Sequence, residues 1–129
     1  MFQKLIIIGR LGRDPESRVT PDGTPVTSFS VATDRRWTDA NGQQQSRTTW
    51  FRVITWRRLA ETCAEYLSKG ALVAVEGEVQ EPKPYAGRDG AWHASLDVTA
   101  AAVKFLSSKG ERASEDSGGD EDETDLLPF

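Results

Sequence analysis

Alternation of apolar and polar residues predicts five β-strands in this chain of 129 residues. The alternating segments, which are also rich in β-branched and aromatic residues, are residues 2–11, 25–37, 48–56, 71–79 and 91–105. Gly9 predicts a bulge or sharp bend in the first segment, and Gly77 predicts a break in the fourth. Five short segments of this kind are typical of an all-β domain.

One helix is predicted between the third and fourth strands, over residues 58–68. Its apolar residues recur at three- and four-residue spacing, which indicates a single buried stripe. The stripe consists of Leu59, Cys63, Tyr66 and Leu67. Lys69 falls in the predicted last turn, and Gly70 falls at the position that follows the C-cap.

Glycine and proline mark the turns between the strands. Residues 21–23 read Pro-Asp-Gly and predict a tight turn. Residues 41–42 read Asn-Gly and predict a hairpin tip, followed by a mobile polar loop over residues 43–46. Pro82 starts an extended arm with its tip at residues 87–90. Five strands with a helix between the third and fourth is the layout of an OB-fold, a five-stranded Greek-key barrel, although other small barrels share the strand count.

The third predicted strand has two faces of different chemistry, because successive side chains point to opposite sides. One face carries Trp50, Arg52, Ile54 and Trp56, and the other carries Thr49, Phe51, Val53 and Thr55. The second set suits a core. Two tryptophans would also suit a core, but Arg52 between them would then need a buried partner. We therefore predict that the first set faces a ligand, with indoles that stack on bases and with Arg52 and Arg57 on phosphates.

Charge is distributed unevenly along the chain, which carries −4 overall. Residues 1–110 hold fifteen Lys/Arg and twelve Asp/Glu, a net charge of +3, whereas residues 111–129 hold eight acids and Arg112, a net charge of −7. A basic body with an acidic tail suggests contact with a polyanion. The tail lacks the apolar residues that would offset the entropy of ordering it, so we predict a folded domain over residues 1–106 and a disordered tail over residues 107–129.

The sequence predicts no catalytic residue, metal site or cofactor. Cys63, the single cysteine, lies in the apolar stripe of the predicted helix and is expected to be a buried, inert thiol. His93 has no neighbouring His or Cys with which to share a metal. The longest N-terminal apolar run, residues 5–8, is too short for a signal peptide or a membrane span, so a cytoplasmic, nucleoid-associated protein is expected.

The sequence resembles the bacterial single-stranded DNA-binding protein (SSB) family. The matching segments are IIIGRLGRDPESRVTPDGTPVTSFSVAT, TWFRV, LAETCAEYLSKGALVAVEGEV and the terminal DLLPF. In that family, a homotetramer of OB-folds wraps single-stranded DNA, with aromatic side chains on the bases and basic ones along the backbone. The resemblance places Trp37, Trp50, Trp56 and Tyr85 among the stacking residues. It places Lys4, Arg18, Arg58 and Lys69 along the DNA path.

The resemblance also implies a role for the C-terminal tip. In the family the tip recruits replication, repair and recombination enzymes, and its residues here are Asp125, Leu126, Leu127, Pro128 and Phe129. An apolar ring beside a carboxylate suits a partner that offers an apolar pocket next to a basic group. This chain departs from the family in two places. Phe51 stands where some relatives carry an interface His, and the linker before the tip is reduced to residues 107–119.

Two other functions are open at this point. A nuclease would need several acids to hold a metal, whereas Glu76, Glu78 and Glu81 read as solvated charge at a strand edge. An RNA-binding OB-fold protein or a replication-restart accessory would use the same stacking residues, because every base has a π-face. The sequence also does not decide whether Trp92 contacts DNA or packs.

Overall fold

The computed structural model describes residues 1–107, which form eight strands and one helix. The elements are β1 (Leu5–Leu11), β2 (Glu16–Val19), β3 (Pro25–Thr38), β4 (Gln44–Trp56), α1 (Arg57–Tyr66), β5 (Leu72–Val79), β6 (Tyr85–Ala86), β7 (Trp92–His93) and β8 (Asp97–Phe105). The predicted tail and its tip lie outside the described residues, apart from Ser107. Helix α1 has ten residues, and no helix in residues 1–107 is long and apolar enough to cross a membrane.

Five of the strands close into a barrel. They follow the order β1-β5-β8-β4-β3, and β3 pairs back onto β1 where Arg10 and Leu11 lie opposite Ala32 and Val31. The β4–β8 pair is parallel and the other pairs are antiparallel. This is the Greek-key connectivity of an OB-fold, so the predicted fold class, all-β with one helix, is confirmed.

Inward-pointing valines from four strands fill the barrel, as the period-2 pattern requires. Those in the core cluster that are at most 1% exposed are Val31, Val53, Val73, Val75 and Val98. Helix α1 adds Ala60 and Cys63, both fully buried. The buried hydroxyl of Thr27 donates to the carbonyl oxygen of Ala60 at 2.8 Å, which ties the helix to β3.

Gly9 and Gly77 allow close backbone approaches within this barrel. The β1–β5 register passes through Gly9 without a shift, so of the two predicted alternatives, a bulge or a sharp bend, the bulge is wrong. A Cβ at residue 9 would overlap the carbonyl oxygen of Ala32, where β1 meets β3. At Gly77 the strand continues rather than breaks, although its register against β8 shifts between Glu76 and Gly77.

The strand boundaries differ from the prediction in the first half of the chain. Strand β1 begins at Leu5 rather than at Phe2. Strand β2 was not predicted, because its four residues are all exposed and show no apolar alternation; it pairs with the start of β3. The mobile loop predicted over residues 43–46 is also wrong, since residues 44–46 belong to β4 and pair with residues 36–38 of β3.

The helix ends earlier than predicted. Leu67 is its C-cap and is already extended, with φ −96° and ψ 150°. Gly70 has φ +87° but lies in the turn in which the Ala71 N–H bonds the Ser68 carbonyl at 3.0 Å. Gly70 therefore does not follow the C-cap, and Lys69 belongs to the turn rather than to the helix.

The fifth predicted strand is divided in two. Its first part, β7, pairs with β6 to form a small separate hairpin, which we call the arm. The barrel strand β8 begins only at Asp97, after residues 94–96, which belong to no strand. Alternating side chains therefore did not by themselves distinguish a hairpin arm from a barrel strand.

Candidate nucleic-acid interface

The outer face of β4 carries the aromatic and basic side chains that the sequence assigned to it. Trp50 is 53% exposed and Trp56 is 41% exposed, with Arg52 and Ile54 between them on the same face. On the other face, Val53 and Thr55 are fully buried. The predicted division of this strand into a core face and a solvent face is confirmed. We call Trp50, Arg52, Ile54 and Trp56 the β4 row.

Neighbouring strands extend the β4 row sideways. Trp56 lies opposite Val26, and Val26 lies opposite Arg18, so Arg18 shares a cross-strand line with Trp56. Arg52 pairs in register with Asp97 of β8, and its guanidinium lies 3.6 Å from that carboxylate. Arg52 thus pairs with Asp97 in the absence of DNA, but its side chain is exposed enough to reach a phosphate.

The indole of Trp50 lies over the backbone of Gly12. A Cβ at residue 12 would come within 2.6 Å of the ring atoms Cη2 and Cζ3. The absence of a side chain at residue 12 therefore permits this position of the indole. Beside it, a cleft of about 230 Å³ is lined by Arg13 and Arg52, together with two acids and two serines.

Trp37 lies apart from the β4 row. It is opposite Gln45 on the face of the β3–β4 pair that, farther along the strands, carries Val31 and Phe51. The core does not reach this far, and Trp37 is 37% exposed. The Arg35 guanidinium carbon lies 5.6 Å from the centre of its ring. The structure therefore does not bring Trp37 into one line with Trp50 and Trp56.

The arm carries two further exposed aromatic side chains. Tyr85, 53% exposed, packs its ring against His93 with centroids 5.6 Å apart. His93 in turn lies 3.2 Å from Asp89, and the N–H of Ala91 together with His93 lowers the pKa of the Asp89 carboxyl. Trp92 does not pack, since it is 75% exposed and pairs in register with Ala86, the position next to Tyr85.

The remaining basic residues of the predicted DNA path occupy several parts of the surface. Lys4 pairs with Glu76 at 2.5 Å and lowers the pKa of that carboxyl. Arg58 is exposed on α1. Lys69 is exposed in the turn after the helix, where its backbone N–H bonds Asp14 at 2.8 Å. Lys4 lies beyond β5 and β8 from the β4 row, so these cations do not form one compact cluster.

Arg57 has an unusual backbone conformation. Its φ is +58°, and it is the one non-glycine residue with positive φ in residues 1–107. It lies directly between Trp56, whose backbone is extended, and the rest of α1. A side chain in the left-handed region costs about 1–2 kcal/mol. The exposed guanidinium is therefore held next to Trp56 at some cost in stability.

A metal site and the Cys63 thiol are the catalytic groups that the sequence raises. No three His, Cys, Asp or Glu side chains in residues 1–107 are grouped so that they could hold a metal ion. Cys63 is fully buried, as expected, and burial raises the pKa of its thiol to about 11. A thiol that stays protonated inside the core is a poor nucleophile.

Sequence reasoning missed several residues that the structure places beside these side chains. Gly12 under Trp50 left no signal in the sequence, because the contact depends on how the chain turns after β1. Arg35 lies two residues before Trp37 on the same face of the strand, so its position beside that indole could have been predicted from the spacing. Arg47, which lies directly opposite Arg35, required knowledge of the β3–β4 register.

Comparisons with known proteins agree with this geometry. A profile of the "Single-strand binding protein family" matches residues 2–106. A single-stranded DNA-binding protein of Neisseria meningitidis is 47% identical over 112 residues, which are 87% of this chain and 64% of that protein. One from Thermotoga maritima is 44% identical over 108 residues, 84% of this chain and 76% of that protein. The chain thus spans less than two thirds of the Neisseria relative. The solved structure "Plasmodium falciparum SSB complex with ssDNA" superposes with a TM-score of 0.71 at 25% identity, covering 83% of this chain and 97% of that one.

Proposed function

The chain belongs to the single-strand binding protein family, and we propose that it is a non-catalytic module that coats single-stranded DNA with little regard to base sequence. The observation that carries the proposal is the exposed β4 row, in which Trp50 and Trp56 flank Arg52. Base–aromatic stacking tolerates every base, and a guanidinium between two indoles can pair with the intervening backbone. Tyr85 on the arm and Trp37 on β3 would supply further stacks.

Titration with poly(dT) while tryptophan fluorescence is followed tests this proposal. DNA should quench the fluorescence, and Trp50→Ala or Trp56→Ala should each weaken binding by about 1–3 kcal/mol. Because both indoles are about half exposed, the thermal unfolding of these variants should change little. Tyr66→Ala is a matched control, since Tyr66 is a 52% exposed aromatic residue on α1. Full affinity in both tryptophan variants would refute stacking by the β4 row. Competition with poly(U) would reveal a preference for RNA.

The basic residues should contribute through counterion release. Arg18, Arg52, Arg57, Arg58, Lys4 and Lys69 are the proposed phosphate contacts. Replacing Arg58 or Lys69 by Ala should lower affinity equally for different base sequences. It should also reduce the slope of log affinity against log salt by about 0.7 for each lost contact with a single strand. An unchanged slope would mean that the substituted residue does not contact a phosphate of the DNA.

We also propose that the protein is a homotetramer. Residues 5–9 of β1 pair only with β5 among the described strands, so one edge of this segment is open. Ile6 and Ile8 on it are 62% and 40% exposed. An open apolar strand edge can be covered by the same edge of a second copy across a two-fold axis. Light scattering that gives a monomer at micromolar concentration would overturn this assignment.

Protection of single strands during replication, recombination and repair, and recruitment of enzymes through residues 125–129, complete the proposal. These roles are supported by family membership and by the sequence of the tip. The cytoplasmic, nucleoid-associated location stays a prediction.

A further inference from the structure

The β3–β4 pair extends beyond the barrel as a two-stranded ribbon. In this ribbon, residues 34–38 of β3 pair with residues 44–48 of β4, and every residue of both segments is exposed. Both faces of the ribbon are therefore available to a ligand, unlike the rest of β3 and β4, where one face is core. The two faces differ in the side chains that lie opposite each other across the strands.

One face of the ribbon carries two cross-strand hydrogen bonds between side chains. The Thr48 hydroxyl donates to the Asp34 carboxylate at 2.7 Å, and the Gln44 side-chain amide donates to the Thr38 hydroxyl at 3.2 Å. Cross-strand pairs of this kind stabilise a ribbon. This face has the same parity as the β4 row.

The other face places two like charges directly opposite each other. Arg35 and Arg47 are partners in the β3–β4 register, and neither forms an ion pair with an acid in residues 1–107. Directly opposed side chains have Cβ atoms about 4.5–5.5 Å apart, and like charges at this position are destabilising. Trp37 lies on the same face, with the Arg35 guanidinium at its ring. Among the described residues, therefore, no acid neutralises this positive pair, which lies beside an exposed indole.

We propose that Arg35 and Arg47 together bind one phosphate of a nucleic acid, while Trp37 stacks on an adjacent base. A phosphate between two guanidiniums turns their repulsion into two charge-assisted interactions, and the planar guanidinium suits bidentate pairing with phosphate oxygens. This inference rests on the proposed function and adds to it a phosphate contact next to the Trp37 stack, so that the face of the β3–β4 pair opposite to the β4 row forms a second contact surface. A single strand of DNA that uses both surfaces passes around the ribbon.

Substitutions at the arginine pair separate this binding role from a structural one. Arg35→Ala and Arg47→Ala should each weaken binding of a dT oligonucleotide of about 16 nucleotides roughly tenfold at low salt, and should reduce the salt slope by about 0.7. If both arginines hold one phosphate, the double variant should lose less affinity than the product of the two single losses. Independent, multiplicative losses would contradict the shared phosphate.

Charge reversal gives a second test in which stability and affinity move in opposite directions. Arg35→Glu creates an opposite-charge pair with Arg47, so the unfolding temperature should rise while DNA affinity falls. Arg35→Glu with Arg47→Glu restores a like-charge pair and should remove the gain in unfolding temperature. A fall in unfolding temperature for Arg35→Glu alone would mean that Arg35 is structural, and the inference would fail.

The control is Lys104→Ala, which removes one positive charge elsewhere. Strand β8 runs parallel to β4 with Asp97 opposite Arg52, so Lys104 lies toward the opposite end of β4 from Arg47. This variant should bind the oligonucleotide nearly as the full-length wild-type protein does. Failure of the wild type to bind dT would refute the proposed function. Wild-type binding with unchanged affinity and slope in both arginine variants would refute the arginine pair alone.

Discussion

Arg57 shows at the scale of one residue how binding and stability can oppose each other. Its φ of +58° is a conformation that glycine adopts without strain. Arg57→Gly should therefore raise the free energy of unfolding by about 1 kcal/mol. If the guanidinium contacts DNA beside Trp56, the same variant should bind more weakly and with a salt slope smaller by about 0.7. Chemical denaturation and a salt titration measure the two effects.

Arg58→Gly is the matched control for this prediction. It removes the same charge one residue later, inside the helix, where glycine costs about 1 kcal/mol. Its effect on stability should therefore have the opposite sign. A loss of stability in Arg57→Gly would show that the side chain stabilises the start of α1, contrary to the argument from strain.

Gly12 should act on DNA binding through Trp50. In Gly12→Ala the new methyl group would lie 2.6 Å from the far edge of the indole, so the ring has to move. Affinity for poly(dT) should fall by about 1 kcal/mol with little change in unfolding temperature, since Trp50 is half exposed. In a Trp50→Ala background the same substitution should have no further effect. An additional loss in that background would mean that residue 12 acts by another route.

At the scale of elements, Gly9 is the position where the barrel depends on a missing side chain. A Cβ there would overlap the backbone of Ala32, which cannot move without opening the β1–β3 closure. Gly9→Ala should cost about 3 kcal/mol or more of unfolding free energy. Gly23→Ala is the control, because residue 23 has φ +90° but open space around it, and it should cost only about 1–2 kcal/mol. Equal losses in urea denaturation would contradict a special role for the closure.

The elements also show what local pattern predicts. The alternation in β4 correctly assigned Val53 to the core and Trp50 to solvent. This prediction succeeded because the face on which a residue lies depends only on whether its position in the strand is odd or even. The sequence pattern did not predict the elements whose structure depends on which strands pair with each other. Strand β2 is exposed and forms because β3 offers an edge, and the arm separates from β8 because β6 pairs with β7. The opposition of Arg35 and Arg47 follows from a register that no single strand encodes.

At the scale of the whole molecule, the connectivity of the barrel was predictable because five strands and one helix in this order leave few arrangements. The distribution of the proposed contact residues over the surface was not predictable from the sequence. Trp37 and the β4 row lie on opposite faces of the β3–β4 pair, and Lys4 lies beyond two further strands. The proposed contacts therefore lie on more than one side of the barrel, which would suit a strand that wraps around it.

The last prediction concerns charge across the whole chain. Residues 111–129 carry a net charge of −7 and residues 1–110 carry +3, so we expect the acids of the tail to compete with DNA for the same cations. Replacing the eight acids by Asn and Gln should tighten binding of poly(dT) at low salt. The gain should fade near physiological ionic strength, where exposed charges are screened within about 8 Å. Deleting residues 126–129 removes no charged side chain and should leave DNA affinity nearly unchanged. A gain that persists at high salt, or one that the deletion alone reproduces, would show that the tail acts through apolar contact rather than charge.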